Sequence, residues 1–332
     1  MVDRGGLENR FTSNGNGGSN PSLSAKPSSA TQWPGLRLKP PPNGMCGRPG
    51  SDTLPPIQPA ARFRPSRGSL HLRGMRVTFL GTGTSQGVPV IGCACAVCRS
   101  TDPRDARLRV SVLVEVAGKR ILIDAGPDLR QQMLRARVPD LDAVLLTHEH
   151  MDHMIGMDDL RSFSFLHDPP KAIPIHADQG TAAAVRRVYS YAFQERKYPG
   201  VPEFDLHTFG ADTFEAAGVK VLPIEVMHMR MPVRGFRIGG FTYITDAKTI
   251  APEEKAKAAG SDVLVLNALR IQPHYSHLNL EEALALVEEL RPRRAYFTHI
   301  SHFMGLHEAV EPSLPSHVHL AYDGLVVELQ EG

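Results

Sequence analysis

The chain contains no run of 18 consecutive apolar residues, which excludes a membrane-spanning helix. Cysteine is scarce, with four in 332 residues, too few for a disulfide framework in a chain this long. A formal net charge of only +2 marks no excess of either sign over the chain as a whole, although it averages a basic first segment that could touch nucleic acid nonspecifically. What is present is ordinary for a folded protein. Hydrophobic residues make up 42% and charged residues 22%, so wholesale disorder and a fibrous chain are excluded as well.

The near-zero charge averages two unlike segments. Residues 1–74 carry 11 Gly, 11 Pro and 9 Ser, with 10 Lys+Arg against 3 Asp+Glu, a net of +7. Subtracted from the totals, this leaves residues 75–332 with 27 Lys+Arg and 32 Asp+Glu, a net of −5. The first segment has too little apolar surface to offset the entropy of ordering it, so it is expected to be a disordered basic leader. Its Arg- and Ser-rich, acid-poor composition is also compatible with an organelle transit peptide. A third reading, an initiation codon assigned too early with Met75 as the true start, fits the strand-like run that Met75 opens. The acidic body, residues 75–332, is large enough for one substantial core.

Apolar stretches in the body read as strands at 111–116 and 120–125, joined by a tight turn at 117–119, and at 143–147, 173–176 and 219–226. Residues 236–245 read as a hairpin turning at Gly239-Gly240, followed by strands at 262–266, 295–298 and 325–329. Helical periodicity predicts helices at 127–137, 179–189 and 280–290. Hairpins in each half with helices interspersed point to two mixed sheets packed face to face, with helices outside.

Fourteen of the fifteen histidines lie in the body. The densest group is Thr147-His148-Glu149-His150-Met151-Asp152-His153, placed where an apolar strand ends. Alternate residues on an extended stretch point the same way, so His148 and His150 can converge on one cation, while Asp152 and His153 begin the next turn and can face another. Imidazole and carboxylate together suit zinc, manganese or iron. A second group, Cys93, Cys95 and Cys98, offers three thiolates in a short loop that a fourth ligand would close into a tetrahedral structural zinc site. Cys46, in the leader, is a poor fourth. Clustered reduced thiols also point to a cytoplasmic setting.

His-x-His-x-Asp-His resembles the signature of the metallo-β-lactamase-fold hydrolases. The resemblance spans the body and implies a four-layer αββα sandwich. It implies further ligands at later strand ends, matched in order by His228, Asp246 and His299. His148, His150 and His228 would then hold one catalytic divalent ion, zinc or manganese. Asp152, His153 and His299 would hold a second, with Asp246 bridging, and the pair would turn a shared water into the attacking hydroxide. Asp124 resembles the family's strand-end aspartate that supports a ligand from behind, although a loop-capping role is equally open.

The run 80–89, Leu-Gly-Thr-Gly-Thr-Ser-Gln-Gly-Val-Pro, followed by Cys-x-Cys-x-x-Cys, resembles the PhnP-type branch, the phosphoribosyl 1,2-cyclic phosphate phosphodiesterases. There the fourth ligand of the structural zinc lies three residues beyond the last active-site histidine, which here is His302. The branch places its proton donor just upstream of a late helix, which matches His277, with His274 competing. Asp152 is carried over as a catalytic residue as well as a ligand.

The implied activity is hydrolysis of a cyclic or small anionic phosphodiester, without a membrane or specific nucleic-acid partner. A homodimer is an open possibility for the assembly. Arg230 and Arg270 are candidates for a distal phosphate, and residues 189–198 for a lid or substrate wall. Three rivals remain: a thioesterase or lactamase on the same fold, a nuclease resembling ribonuclease Z, and a noncatalytic carrier resembling the PQQ-biosynthesis protein B. The acidic body disfavours the second, and the complete His148–His153 cluster the third.

Overall fold

The structure, a computed structural model, describes residues 74–330. The leader, residues 1–73, and with it Cys46, lies outside the described residues. The chain opens a sheet with β1 (Gly74–Gly81), β2 (Ser111–Val116), β3 (Lys119–Ile123), β4 (Ala143–Leu145), β5 (Ile173–Ala177) and β6 (Phe204–Thr208). A second sheet follows with β7 (Phe214–Ala216), β8 (Val219–His228), β9 (Met231–Ile238), β10 (Phe241–Ile244), β11 (Thr249–Ile250), β12 (Val263–Asn267), β13 (Arg294–Thr298) and β14 (Val318–Leu320). The last strand, β15 (Val326–Gln330), returns to the first sheet and pairs antiparallel with β1. The orders are β15-β1-β2-β3-β4-β5-β6 and β11-β8-β9-β10-β12-β13-β14, with β7 beside β8.

Each sheet is antiparallel on one side and parallel on the other. Hairpins make the antiparallel halves: β2 turns into β3 through Ala117 and Gly118, both at positive φ (51° and 74°), the geometry whose twist matches that of the flanking strands. Crossovers containing helices make the parallel halves, as in β3-β4-β5 and β10-β12-β13. Val77, Phe79, Val112, Val114, Ile121 and Ile123 of the first sheet meet Phe236, Ile238, Tyr243, Val263 and Val265 of the second in one buried core. The strands' other faces are covered in turn. On the first sheet Leu122, Val144 and Ile175 pack against Leu129, Met133, Ala182 and Val185.

The flanking helices are α1 (Leu129–Ala136), two short turns α2 (Met151–Met154) and α3 (Arg161–Ser164), α4 (Gln179–Val188), α5 (Pro252–Ala258), α6 (Leu280–Leu290) and α7 (His307–Val310). Their ends follow local chemistry. Asp178 caps α4 by accepting from the Thr181 amide at 2.8 Å, and Asn279 with Glu282 forms a reciprocal capping box on α6. The helix expected over 127–137 is shorter: it begins at Leu129 after the N-cap Asp128 and ends where Arg137 turns left-handed at φ 53°. The strand β6 and helix α5 were not predicted. Polar residues break the apolar pattern of β6, and α5 buries little besides Ala258.

One close approach fixes the entry to the histidine cluster. Gly126, just past β3, and Gly156, just past α2, lie against each other, and the Gly156 amide donates to the Ala125 carbonyl at 2.9 Å. A Cβ at Gly156 would run into the Gly126 carbonyl, and one at Gly126 into the Asp152 carbonyl. Gly156→Ala is therefore expected to destabilise the fold by roughly 1–3 kcal/mol, read as a lower urea midpoint at unchanged slope.

Candidate metal centre

Strand ends bring the predicted residues together. The His148–His153 segment leaves the end of β4 and turns into α2. His228 closes β8, and Asp246 and His299 follow β10 and β13. Asp124, Asp246 and His299 all have positive φ (63°, 55° and 55°), a conformation that residues other than glycine adopt at a cost. The sharp turn it produces sends each side chain into the cluster instead of onward along the strand.

The ligand atoms of four trios lie within 4.8 Å of one another: His148, His153 and Asp246; His150, His228 and Asp246; Asp152, His153 and His299; Asp246, His277 and His299. The trio Asp152, His153 and His299 is the same set as one of the implied groups. His150 and His228 meet with Asp246, His148 lies beside both His150 and His153, and His277 joins the donor atoms around Asp246. Asp246 belongs to three of the four trios, where a bridging carboxylate would sit. Its Oδ2 is 3.3 Å from His153 Nε2, and its Oδ1 is 3.3 Å from His299 Nε2 and 3.0 Å from His277 Nε2.

The outer nitrogens of His148, His153 and His228 are committed elsewhere, which determines what their inner nitrogens can do. His153 Nδ1–H donates to Asp124 Oδ2 at 2.7 Å, and His148 Nδ1–H to Thr147 Oγ1 at 2.9 Å. His228 Nδ1–H donates to the Asp246 carbonyl at 3.2 Å. Each arrangement leaves Nε2 with its lone pair facing the cluster. Nε2 of His148, His153 and His299 is buried and has no hydrogen-bond partner. Buried, unpartnered lone pairs beside carboxylates are what a bound cation satisfies, so this donor set fits divalent metal ions.

Asp124 is fully buried and takes two roles. It accepts from the Thr147 amide at 2.9 Å and from its hydroxyl, as well as from His153. It therefore caps the loop and supports a ligand at once. Sequence reasoning missed Thr147, whose hydroxyl joins Asp124 to His148, and Thr245, whose hydroxyl donates to Asp246 Oδ2 at 2.6 Å. Both sit directly before a ligand at a strand end, the one signal that could have found them.

Charge in the cluster is strongly coupled. Burial opposes ionisation of Asp246, yet His299 and His153 beside it hold its carboxyl well below the usual range. Burial likewise opposes a charged His153, but Asp246, Asp124 and Asp152 together raise it well above an ordinary histidine. The cluster attracts positive charge, which a proton or a metal ion can supply. Burial lowers His277 to about 4, with His299 adding to the effect against the pull of Asp246.

The cysteine loop forms its own site. His302 Nδ1 is 3.3 Å from Cys93 Sγ, 3.4 Å from Cys95 Sγ and 3.3 Å from Cys98 Sγ, which suits four ligands around one ion. The amides of Val90 and Cys98 donate to Cys98 Sγ and Cys95 Sγ. Burial, with Cys95 and Cys93 adjacent, raises the Cys98 thiol to about 12, so a cation is what would let all three sulfurs ionise. Ile300 links the two centres. Its amide donates to the Thr82 carbonyl and its carbonyl accepts from the Thr84 amide, between His299 and His302.

The remaining candidates are placed less centrally. His274 reaches Ser276 and His277 but not Asp246. Arg270 donates to the carbonyls of Gln272 and Pro273 and so braces the loop before His277, while Arg230 is exposed at the β8–β9 turn. Tyr189 and Tyr191 donate to the Met154 carbonyl and to Asp158, forming a wall behind the segment after His153. Among the described residues no helix is long and apolar enough to cross a membrane.

Asp124→Asn keeps the shape but removes the charge behind His153, and is expected to weaken metal affinity about 10–100-fold in a chelator competition. Wild-type protein is expected to carry about three ions per chain, and Cys98→Ser about two, by elemental analysis.

Comparison with known proteins agrees with this geometry. Residues 119–300 match the model of the beta-lactamase superfamily domain. A crystal structure described as a new diphosphatase from the PhnP family is 39% identical, superposes with a TM-score of 0.72, and is matched over 77% of this chain and 97% of its own. An octanoyltransferase of Porphyromonas gingivalis is 41% identical over 260 residues, 77% of this chain and 52% of that protein. A ribonuclease Z of Bradyrhizobium diazoefficiens is 33% identical over 162 residues, 48% of each chain. The chain thus spans about half the length of these two curated relatives. With the fold, the strand-end donors and the matched span in agreement, the chain belongs to the metallo-β-lactamase superfamily and, within it, to the PhnP family.

Proposed function

We propose that the protein is a two-metal phosphodiesterase acting on a cyclic or small phosphodiester, of which a phosphoribosyl cyclic phosphate is one member. The observation that carries this reading is the meeting of His148, His150, Asp152, His153, His228, Asp246 and His299 in overlapping trios of donor atoms, with His277 against Asp246. Two divalent ions held by these residues supply Lewis acidity and a water acidic enough to attack at neutral pH.

The chain's own groups do the rest. Asp124, Thr147 and the Asp246 carbonyl hold the imidazole rings so that their Nε2 atoms face inward. His277 Nε2 lies at the cluster's edge, where it can pass a proton to the departing oxygen. The charge of an incoming phosphate raises His277 from its low value towards the working range. Ser276 Oγ, 2.9 Å from His277 Nδ1, fixes the ring.

A second reading, cleavage of a diphosphate, is favoured by the 39% identical PhnP-family structure described as a diphosphatase. Both reactions displace an oxygen leaving group from phosphorus. The partial match to ribonuclease Z adds a nuclease to the comparison, against which the body's net −5 weighs. Activity in the cytoplasm on a small anion, without membrane or specific nucleic-acid partner, completes the proposal.

The test is a substrate panel on metal-loaded protein: bis-para-nitrophenyl phosphate, a ribose cyclic phosphate, a dinucleotide diphosphate, a thioester, a β-lactam and a precursor tRNA. Turnover is expected with the small phosphorus compounds. Preference for the thioester or lactam would overturn the reading. His277→Ala is expected to lose roughly 10²–10⁴ in kcat while keeping its metal content, and full turnover in that variant would dismiss its role.

A further inference from the structure

The exposed apolar side chains are not spread evenly. Among the described residues ten large hydrophobic side chains are exposed; Ile91, Met151, Ile155, Met229 and Phe303 lie within two positions of a ligand residue of one metal site or the other, and Tyr275 lies two before His277. Isolated apolar residues on a surface need no explanation, but exposed ones flanking a cluster of ligand residues are candidates for contact with what binds there. One of them is also continuous with the buried cluster.

A ladder of rings runs outward from the metal centre. His153 stacks on His299 with centroids 5.8 Å apart and planes at 21°, and His299 on His277 at 5.0 Å and 15°. His277 meets His274 at 5.2 Å, and His274 meets Tyr275 at 4.4 Å and 31°. Exposure rises along it, from a fully buried His153 to Tyr275 at 73%. Arg270 holds the loop carrying the outer rungs through the Gln272 and Pro273 carbonyls. The tyrosine is thus an open ring face on a braced loop, two rungs beyond His277.

We propose that Tyr275, backed by His274, is a stacking platform for a nucleobase, so that the phosphorus–oxygen bond cleaved belongs to a nucleotide. This proposal rests on the phosphodiesterase reading above. A planar heteroaromatic group is the occupant because the ring is presented beside a site that holds phosphate, and every base has a face to stack. An aliphatic substrate would leave the tyrosine's face without a partner.

The test measures binding, not turnover, by calorimetry on the metal-loaded full-length chain. The probes are adenosine monophosphate and ribose 5-phosphate, which differ only in the base. Wild-type protein is expected to bind the nucleotide roughly tenfold more tightly. Tyr275→Ala is expected to erase that preference and leave ribose 5-phosphate unchanged, while Tyr275→Phe keeps it. Equal binding of the two probes by wild-type protein overturns the platform but leaves the phosphodiesterase reading standing. A Tyr275→Ala variant that weakens both probes equally overturns it too. A change in molecular mass on Tyr275→Ala assigns the ring to contact with a second copy and also overturns it. If neither probe binds, the platform falls, and the substrate panel alone decides the phosphodiesterase reading.

Discussion

A carboxylate buried among imidazoles is the constraint on which this structure turns. Asp246 is nearly inaccessible, yet it faces His153, His299 and His277 within 3.3 Å. Buried charge is tolerated only with compensation, and removing one partner of such a group costs about 3–5 kcal/mol. Every element around it serves that compensation. Strands stop at the cluster, left-handed residues turn the chain inward, and Thr245 hydrogen-bonds to the carboxylate from behind. The rigidity of two packed sheets is what allows such unfavourable conformations to persist.

The same constraint explains how much of the site was legible in the sequence. His148 to His153 could be read directly, because one strand end carries four donors within six residues. His228, Asp246 and His299 are scattered over some seventy positions, and each alone is an ordinary residue. Only their places at successive strand ends, together with the family resemblance, marked them out. Asp124 was half-read. Its two roles coexist because one buried carboxylate offers two oxygens, one of them reached by both Thr147 groups and the other by His153. The trio containing His277 could not be foreseen, because it depends on how closely the loop after β12 folds back over Asp246.

The fold was legible where hydrophobic periodicity was strong, in the two central hairpins and in α6 with its capping box. It was opaque in β6, where Asp205, His207 and Thr208 leave little alternation, and in α5, a charged helix held mainly by its ends. Such elements owe their conformation to neighbours already in place. A shared sandwich does not determine the reaction either. The relatives bear the names diphosphatase, octanoyltransferase and ribonuclease Z, the last two matched over only about half their length.

The antiparallel pairing of β1 with β15 sets Gly74 opposite Gln330. The first and last described residues therefore lie side by side, at the far end of β1 from the turn that reaches Ile300. A short linker could join them, and new termini could be opened in a surface turn such as Ala117-Gly118 without disturbing either metal centre. Circular permutation of residues 74–330 is thus a matter of local turn chemistry.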